Sequence, residues 1–271
     1  MLALLVASNA CRHSDAAPAA PAHEAPLPRA LVVSTSVSAV ESVAFSSSGA
    51  GTVVGRVVLD GTPPPMPRRT VRIDAALCGD DPREDRSFVV NPATKAIRFA
   101  VVTLTPRNGA APATPPTQVP AIDQAKCEFY PYITLVRPGG SVTVVNSDPG
   151  LHDLHRLEPG GPGSHDASPP GSRLPLTFHR AGRTHVVCDL HYWSSAWVIA
   201  TDAPFAAVTD GDGAFAFRGV PAGAWTLSVW QERLGEQSIE LNLAANQTLK
   251  PVLAMPLAKP SPAPSPSAPA R

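Results

Sequence analysis

The chain has 271 residues, with 22 Lys plus Arg against 22 Asp plus Glu and a formal net charge of zero. That balance gives no electrostatic reason to expect a nucleic-acid partner, and 32 Pro with 19 Gly exclude a fold built on long helices. On a prior of roughly 150 residues per domain, the length accommodates about two domains.

Met1 to Ala10 form an apolar stretch too short to span a bilayer, and they run into Ser8-Asn9-Ala10-Cys11. The pattern reads as a clipped export signal, with Cys11 as the lipidated residue of a bacterial lipoprotein. Its early part carries no Lys or Arg, and Ser8 stands where such signals have an aliphatic residue, so an ordinary secretory signal with Cys11 incidental is the alternative. Both readings place the protein in the periplasm or cell envelope, with a membrane contacted only through the lipid. Residues 1–49 are assigned to this signal and an Ala/Pro/Ser-rich linker, and 258–271 to a disordered Pro-rich tail. Such compositions bury too little apolar surface to offset chain entropy.

Between these ends, short runs rich in β-branched residues predict strands over 53–59, 71–75, 87–90, 97–104, 133–136, 141–146, 176–179, 183–188 and 196–201. Pro138-Gly139-Gly140 and Ala181-Gly182 supply the turns. Many short strands with Gly/Pro punctuation indicate a Greek-key sandwich or barrel over residues 50–202. Further alternating runs at 205–209, 214–218, 225–231, 237–243 and 249–255 predict a second, small sandwich over 203–257. The Asp210-Gly211-Asp212-Gly213 stretch lacks the later ligands and closing glutamate of a calcium loop, so it reads as a hairpin turn.

The chemistry concentrates in two segments, Asn146-Ser147-Asp148-Pro149-Gly150-Leu151-His152 and Cys188-Asp189-Leu190-His191. Cys188 ends a predicted strand and His191 lies in the loop after it, so both can aim at one point that His152 reaches from another loop. A thiolate and two imidazoles suit copper, since soft sulfur stabilises Cu(I), imidazole accepts either oxidation state, and a His2Cys set with a weak axial ligand serves electron transfer. His152, Cys188 and His191 are therefore the candidate metal ligands. In the short-loop form of this site, Cys-x2-His-x2-Met, a methionine would stand at position 194, and this chain has Ser194. One copper ion in a type 1-like site, perturbed by that serine, is the expectation. Asn146 and Asp148 are expected to fix their loop by hydrogen bonds to nearby backbone.

His155 is the reserve ligand, and His165, His179 and His185 read as exposed or structural. Zinc held by the same three ligands and a water at Ser194 is the weaker alternative. Cys78 and Cys127 remain as an even pair, expected to form a disulfide in an oxidising compartment.

Several stretches carry a family resemblance: Gly55-Arg56-Val57-Val58, Asp123 to Phe129, Pro138-Gly139-Gly140, Asn146-Ser147-Asp148 and Cys188-Asp189-Leu190-His191. They resemble the cupredoxin-like, methylamine-utilisation-type proteins of bacterial envelopes. Phe205, Thr209 to Phe215, Val220-Pro221-Ala222-Gly223 and Val229 to Gly235 resemble the carboxypeptidase regulatory-like β-sandwich that follows the cupredoxin part in that group. The resemblance implies a plastocyanin-like domain with His152, Cys188 and His191 at the ligand positions, while Gln231 stands where a histidine is expected in the second domain. No nucleophile, base and orienter occur together and the regulatory-like module is non-catalytic, so the expectation is that the chain is not an enzyme. Two functional readings follow. The first is an envelope copper protein for electron transfer or copper holding, docking a redox protein partner at an exposed edge of His191 beside Tyr192 and Trp193. The alternative is a non-metal structural or binding module that has lost copper.

Overall fold

The computed structural model describes residues 49–66, 68–108, 119–158 and 163–257; Cys11, the expected export segment and the Pro-rich tail lie outside them. The first segment holds β1 (Gly51–Asp60), a single helical turn α1 (Ala75–Cys78), β2 (Val89–Val90), β3 (Ile97–Arg98) and β4 (Val101–Pro106). The middle segment holds β5 (Ala121–Ala125), β6 (Glu128–Tyr130), β7 (Ile133–Val136), β8 (Gly140–Asn146), β9 (His152–Leu157), β10 (Ser164–Ser168), β11 (Arg173–Phe178), β12 (Gly182–Val187) and β13 (Ser195–Ala200). The last holds β14 (Phe205–Val208), β15 (Ala214–Val220), β16 (Gly223–Gln231), β17 (Gly235–Leu243), β18 (Thr248–Leu249) and β19 (Val252–Pro256).

The middle strands close on themselves. One sheet runs β10-β9-β12-β13-β7 and the facing one β11-β8-β5-β6, with Ile122, Phe129, Val142, Val144, Leu154, Val186 and Val198 among the side chains buried between them. Alternation produces this layer, because successive residues of a strand face opposite sides. In β12, Thr184 and Val186 point inward while Arg183, His185 and Val187 are less buried.

The second sandwich is not confined to 203–257, as the sequence pattern suggested. β1 pairs antiparallel with β15 and parallel with β18 and β19, and β4 lies between β14 and β16. Val53, Val57 and Leu59 of β1 and Val102 and Leu104 of β4 are buried in the same core as Phe205, Phe217, Leu227 and Met255. The sandwich of 121–200 is therefore inserted between the two parts of the other one. Each chain segment shows its apolar face locally, but no local pattern says which distant strand will cover it.

The expected strand at 71–75 is a second difference. Only Val71 of that run is buried; Arg72, Ile73 and Asp74 are exposed, and the chain turns into α1. A single buried position gives no alternating face to pair. Where the two sandwiches meet, Val101, Tyr132, Ile133, Leu135, Ile199 and Ala206 form a shared apolar cluster. Glu232 accepts hydrogen bonds there from the Tyr132 hydroxyl and from Trp197 Nε1. Burial pushes the Glu232 carboxyl up, and those two donors oppose the shift. Among the described residues no helix is long and apolar enough to cross a membrane.

A peptide of residues 203–257 alone lacks β1 and β4, and is expected to show the narrow amide dispersion of an unfolded chain by NMR. A chain of residues 49–257 is expected to show dispersed β-sheet signals. A dispersed spectrum from the short peptide would contradict the interleaved core.

Candidate metal centre

The turn after β12 is closed by its own backbone. His191 N–H donates to Cys188 O at 3.1 Å, Ser194 N–H to His191 O at 2.7 Å, and Cys188 N–H to Ser194 O at 3.1 Å. This brings Cys188 and His191, three residues apart, to the same end of the barrel. His152 is the first residue of β9, which the sequence pattern missed because its inward positions are His152 and Leu154 and its other positions are largely charged or histidine. Asn146 fixes the loop before it. Its Nδ2 donates to Gly150 O at 2.8 Å and Ser168 O at 2.7 Å, while its Oδ1 accepts from Asp148 N–H at 2.9 Å.

His152, Cys188 and His191 are brought together and fully or almost fully buried. The two Nδ1 atoms are 3.0 Å apart, and Cys188 Sγ is 3.7 Å from that of His152 and 3.5 Å from that of His191. A point in their plane equidistant from all three lies about 2.0 Å from each, close to the lengths of metal–imidazole bonds and slightly under those of metal–thiolate bonds. The donor set therefore fits a copper or zinc ion. Both rings are also oriented for it. His152 Nε2 is 3.0 Å from Asp148 Oδ2, and His191 Nε2 is 3.2 Å from Asp74 Oδ2. A carboxylate that accepts the Nε2 proton leaves Nδ1 as the lone-pair donor, which is how supporting carboxylates fix ligand tautomer and orientation.

Beside the three ligands stands Ser194, buried, with Gln124 Nε2 3.4 Å from its Oγ. Gln124 is itself fully buried, and among the described residues its Oε1 has no hydrogen-bond partner. Neither Gln124 nor Asp74 was singled out from sequence. Asp74 lies 117 residues from its imidazole in the chain, and Gln124 is an ordinary residue of β5 until the fold places it.

Burial pushes the Cys188 thiol up, but hydrogen bonds to His152 and His191 outweigh it and bring the pKa down to about 6. Burial pushes His191 down, but the adjacent thiolate and then Asp74 raise it overall. In the metal-free protein the ultraviolet absorbance of the Cys188 thiolate is expected to titrate with a midpoint of about 6. Because the unfolded thiol retains its proton up to about 9, the Cys188 contribution to stability is complete above that pH and is lost as pH falls through about 6. A midpoint near the ordinary thiol value would contradict the arrangement.

Residues 68–86 cover this end of the barrel. Tyr192 donates its hydroxyl proton to Thr70 O, and Arg69 donates to Tyr192 O. Leu77 lies over Gly150, where an added Cβ would come within 2.3 Å of its Cδ2. Cys78 and Cys127 are disulfide-bonded, their Cα atoms 5.2 Å apart, and pack with Val71, Leu77 and Trp193. The expected exposed edge of His191 is thus absent: its relative exposure is 0%, and Trp193 is buried with it. Tyr192 alone of that trio is exposed. The bridge closes a loop of 49 residues, for which chain entropy alone gives about 4 kcal/mol. Urea unfolding of a Cys78→Ala/Cys127→Ala variant is expected to show a loss of that order.

The other histidines divide. His185 is stacked on Trp197 at 4.4 Å, and burial drives its pKa down to about 4, while His179 is exposed. His155 and His165 lie together near Asp189. Gln231 Oε1 accepts from the N–H groups of Arg233 and Leu234, so it caps the β16–β17 turn. Asp210 Oδ1 likewise accepts from Asp212 and Ala214 N–H at 2.9 Å, which makes that stretch a hairpin turn.

These features define an all-β protein with a cupredoxin-like sandwich carrying a buried His2Cys cluster. No family model matches the sequence, and no curated protein matches it. Among solved structures, it is similar to the Cu-containing nitrite reductase of Thermus scotoductus SA-01 (21% identity, TM-score 0.29, 36% of this chain and 25% of that one). It is similar also to a purple cupredoxin of Nitrosopumilus maritimus (18%, 0.27, 30% and 99%) and to amicyanin of Paracoccus versutus (19%, 0.29, 37% and 97%). The likeness spans a quarter of the nitrite reductase chain but nearly all of the two small proteins; at these identities it concerns the fold alone. One of the three is an enzyme, which corrects the expectation that the chain is not one.

Proposed function

We propose that this chain is an exported copper protein in which His152, Cys188 and His191 hold a single ion, for electron transfer or copper holding. The observation that carries this reading is the convergence of two imidazole Nδ1 atoms on a buried cysteine sulfur, each ring held from behind by a carboxylate. Copper bound there supplies a one-electron couple between Cu(I) and Cu(II). The chain's own part is to present a thiolate with a lowered pKa, to fix both rings, and to exclude water beneath the 68–86 segment. Ser194, at the position a methionine would take, offers a buried neutral oxygen backed by Gln124 Nε2, and a weak axial donor of that kind suits a copper site.

Burial of all three ligands favours holding the ion over direct docking of a partner on His191. Leu151, Leu190 and Tyr192, each next to a ligand in sequence, are exposed and are the groups a redox partner would meet first. The Cys78–Cys127 bridge supports an address outside the cytoplasm, with Cys11 as the residue that would carry a lipid. The second sandwich, read as a carboxypeptidase regulatory-like module completed by β1 and β4, is the frame into which the copper sandwich is inserted.

Copper titration of the full chain, oxidised at Cys78 and Cys127, is followed by visible absorption and paramagnetic resonance. One equivalent is expected to produce a thiolate-to-copper band that Cys188→Ser abolishes. Zinc retained in preference to copper would overturn the reading in favour of the zinc alternative, and no band above the control would overturn it and leave the metal-free binding module. Asp74→Asn, which weakens the hold on His191, is expected to lower copper affinity by about 10- to 100-fold while the protein stays folded.

A further inference from the structure

β9 carries chemistry on both faces. His152 and Leu154 point into the sandwich, and the intervening Asp153 and His155 point away from it, as the two-residue period of a strand requires. On that outer face His155 is directly opposite His165 of β10, and the two rings stack with centroids 3.7 Å apart. Val187 of β12 is paired with His155 on its other side, so Asp189, two residues further on, arrives at the same spot. His155 Nδ1 lies 3.0 Å from Asp189 Oδ2, His165 Nδ1 lies 3.5 Å from the same oxygen, and His165 Nδ1 is 3.1 Å from Asp153 Oδ2. Among the described residues, the ion pairs of Asp153 and Asp189 are made with these two rings. The neighbouring Arg156 faces Asp166 instead, at 3.8 Å.

We propose that His155, His165, Asp153 and Asp189 form a second metal site, for a divalent cation of the Cu(II) or Zn(II) class. Two imidazoles and two carboxylates are the mixed nitrogen and oxygen donors those ions accept, and the ligand atoms of His155, His165 and Asp189 all lie within 4.8 Å of one another. Two imidazole nitrogens directed at one carboxylate oxygen compete for it as donors, whereas a cation lets both act as acceptors beside it. The site is half open, with His165 and Asp189 side chains about half exposed, so water can complete the coordination. Gly163 makes room at its edge: its φ is +74°, and a Cβ there would lie 3.0 Å from His155 Nε2 and 2.6 Å from Arg156 O. The absence of sulfur separates this site from the buried one. The two are nonetheless joined through the chain, since Asp153 follows His152 and Asp189 follows Cys188.

The full chain, with Cys78 and Cys127 oxidised, is titrated with Cu(II) past one equivalent and followed by paramagnetic resonance and absorption. A second equivalent is expected to give a tetragonal signal without any thiolate band. His165→Ala, at an exposed position on the edge strand, is expected to weaken that second equivalent at least tenfold and leave the thiolate band as it was; Asp153→Asn is expected to do the same. A chain that saturates with the thiolate-linked signal alone, or a tetragonal signal unchanged in both variants, would overturn the proposal. If the thiolate band itself fails to develop, the tetragonal signal is still expected and still removed by His165→Ala, so failure at the buried site is read separately.

Discussion

The carboxylate of Asp148 is the point on which the buried site depends. Its oxygens accept from Lys126 N–H at 2.6 Å and Cys127 N–H at 2.8 Å, and one of them is 3.0 Å from His152 Nε2. Lys126 and Cys127 both have positive φ, 51° and 57°, at the tight turn between β5 and β6. Non-glycine residues in that region cost of order 1–3 kcal/mol each, and hydrogen bonds to a charged acceptor, each worth about 1.5–3 kcal/mol, offset it. One side chain thus holds the turn that carries the disulfide cysteine and orients the ring that faces Cys188. The turn, the bridge and the candidate ligand set are mechanically one unit.

That unit is assembled from the insertion and from chain that precedes it. Residues before β2 form part of the outer sandwich core through β1, and then, as the 68–86 segment, cover His191 in the inserted sandwich. Asp74 reaches His191 from this segment, and the Cys78–Cys127 bridge ties the segment to the barrel. Glu232 and the Tyr132, Trp197 and Trp230 rings join the two sandwiches elsewhere. A polar group buried at such a junction must be fully partnered to be tolerated, and Glu232 has two donors. Arg137 fastens the crossing from β13 to β14 through its two terminal nitrogens, which donate to the carbonyls of Thr201, Ala203 and Pro204.

The candidate metal ligands follow from strand periodicity as much as from residue identity. In β9 the alternation that sends His152 inward sends Asp153 and His155 outward, so a buried sulfur-containing cluster and a surface cluster of nitrogen and oxygen donors share one strand. The turn after Cys188 repeats the division, with His191 buried and Asp189 exposed. Softness of the donors and access to water differ sharply between the faces, and these two properties decide which ion each can hold and how readily it exchanges.

The sequence by itself determined what is written in local pattern. Short alternating runs broken by Gly and Pro specify an all-β chain, and Cys188, His191 and His152 stand out because a thiolate and imidazoles around turns are a metal-ligand grammar. Only the tertiary structure decided that β1 and β4 complete the outer sandwich, because backbone pairing across more than a hundred residues leaves no trace in local composition. It alone decided that Asp74 stands beside His191 and Gln124 beside Ser194, that 68–86 forms a cover rather than a strand, and that His191 is buried. An aspartate or glutamine carries no mark of its partner until the fold places one next to it. The turn at Lys126 and Cys127 was hidden for the same reason: neither residue favours positive φ, and the carboxylate that stabilises it lies in another loop.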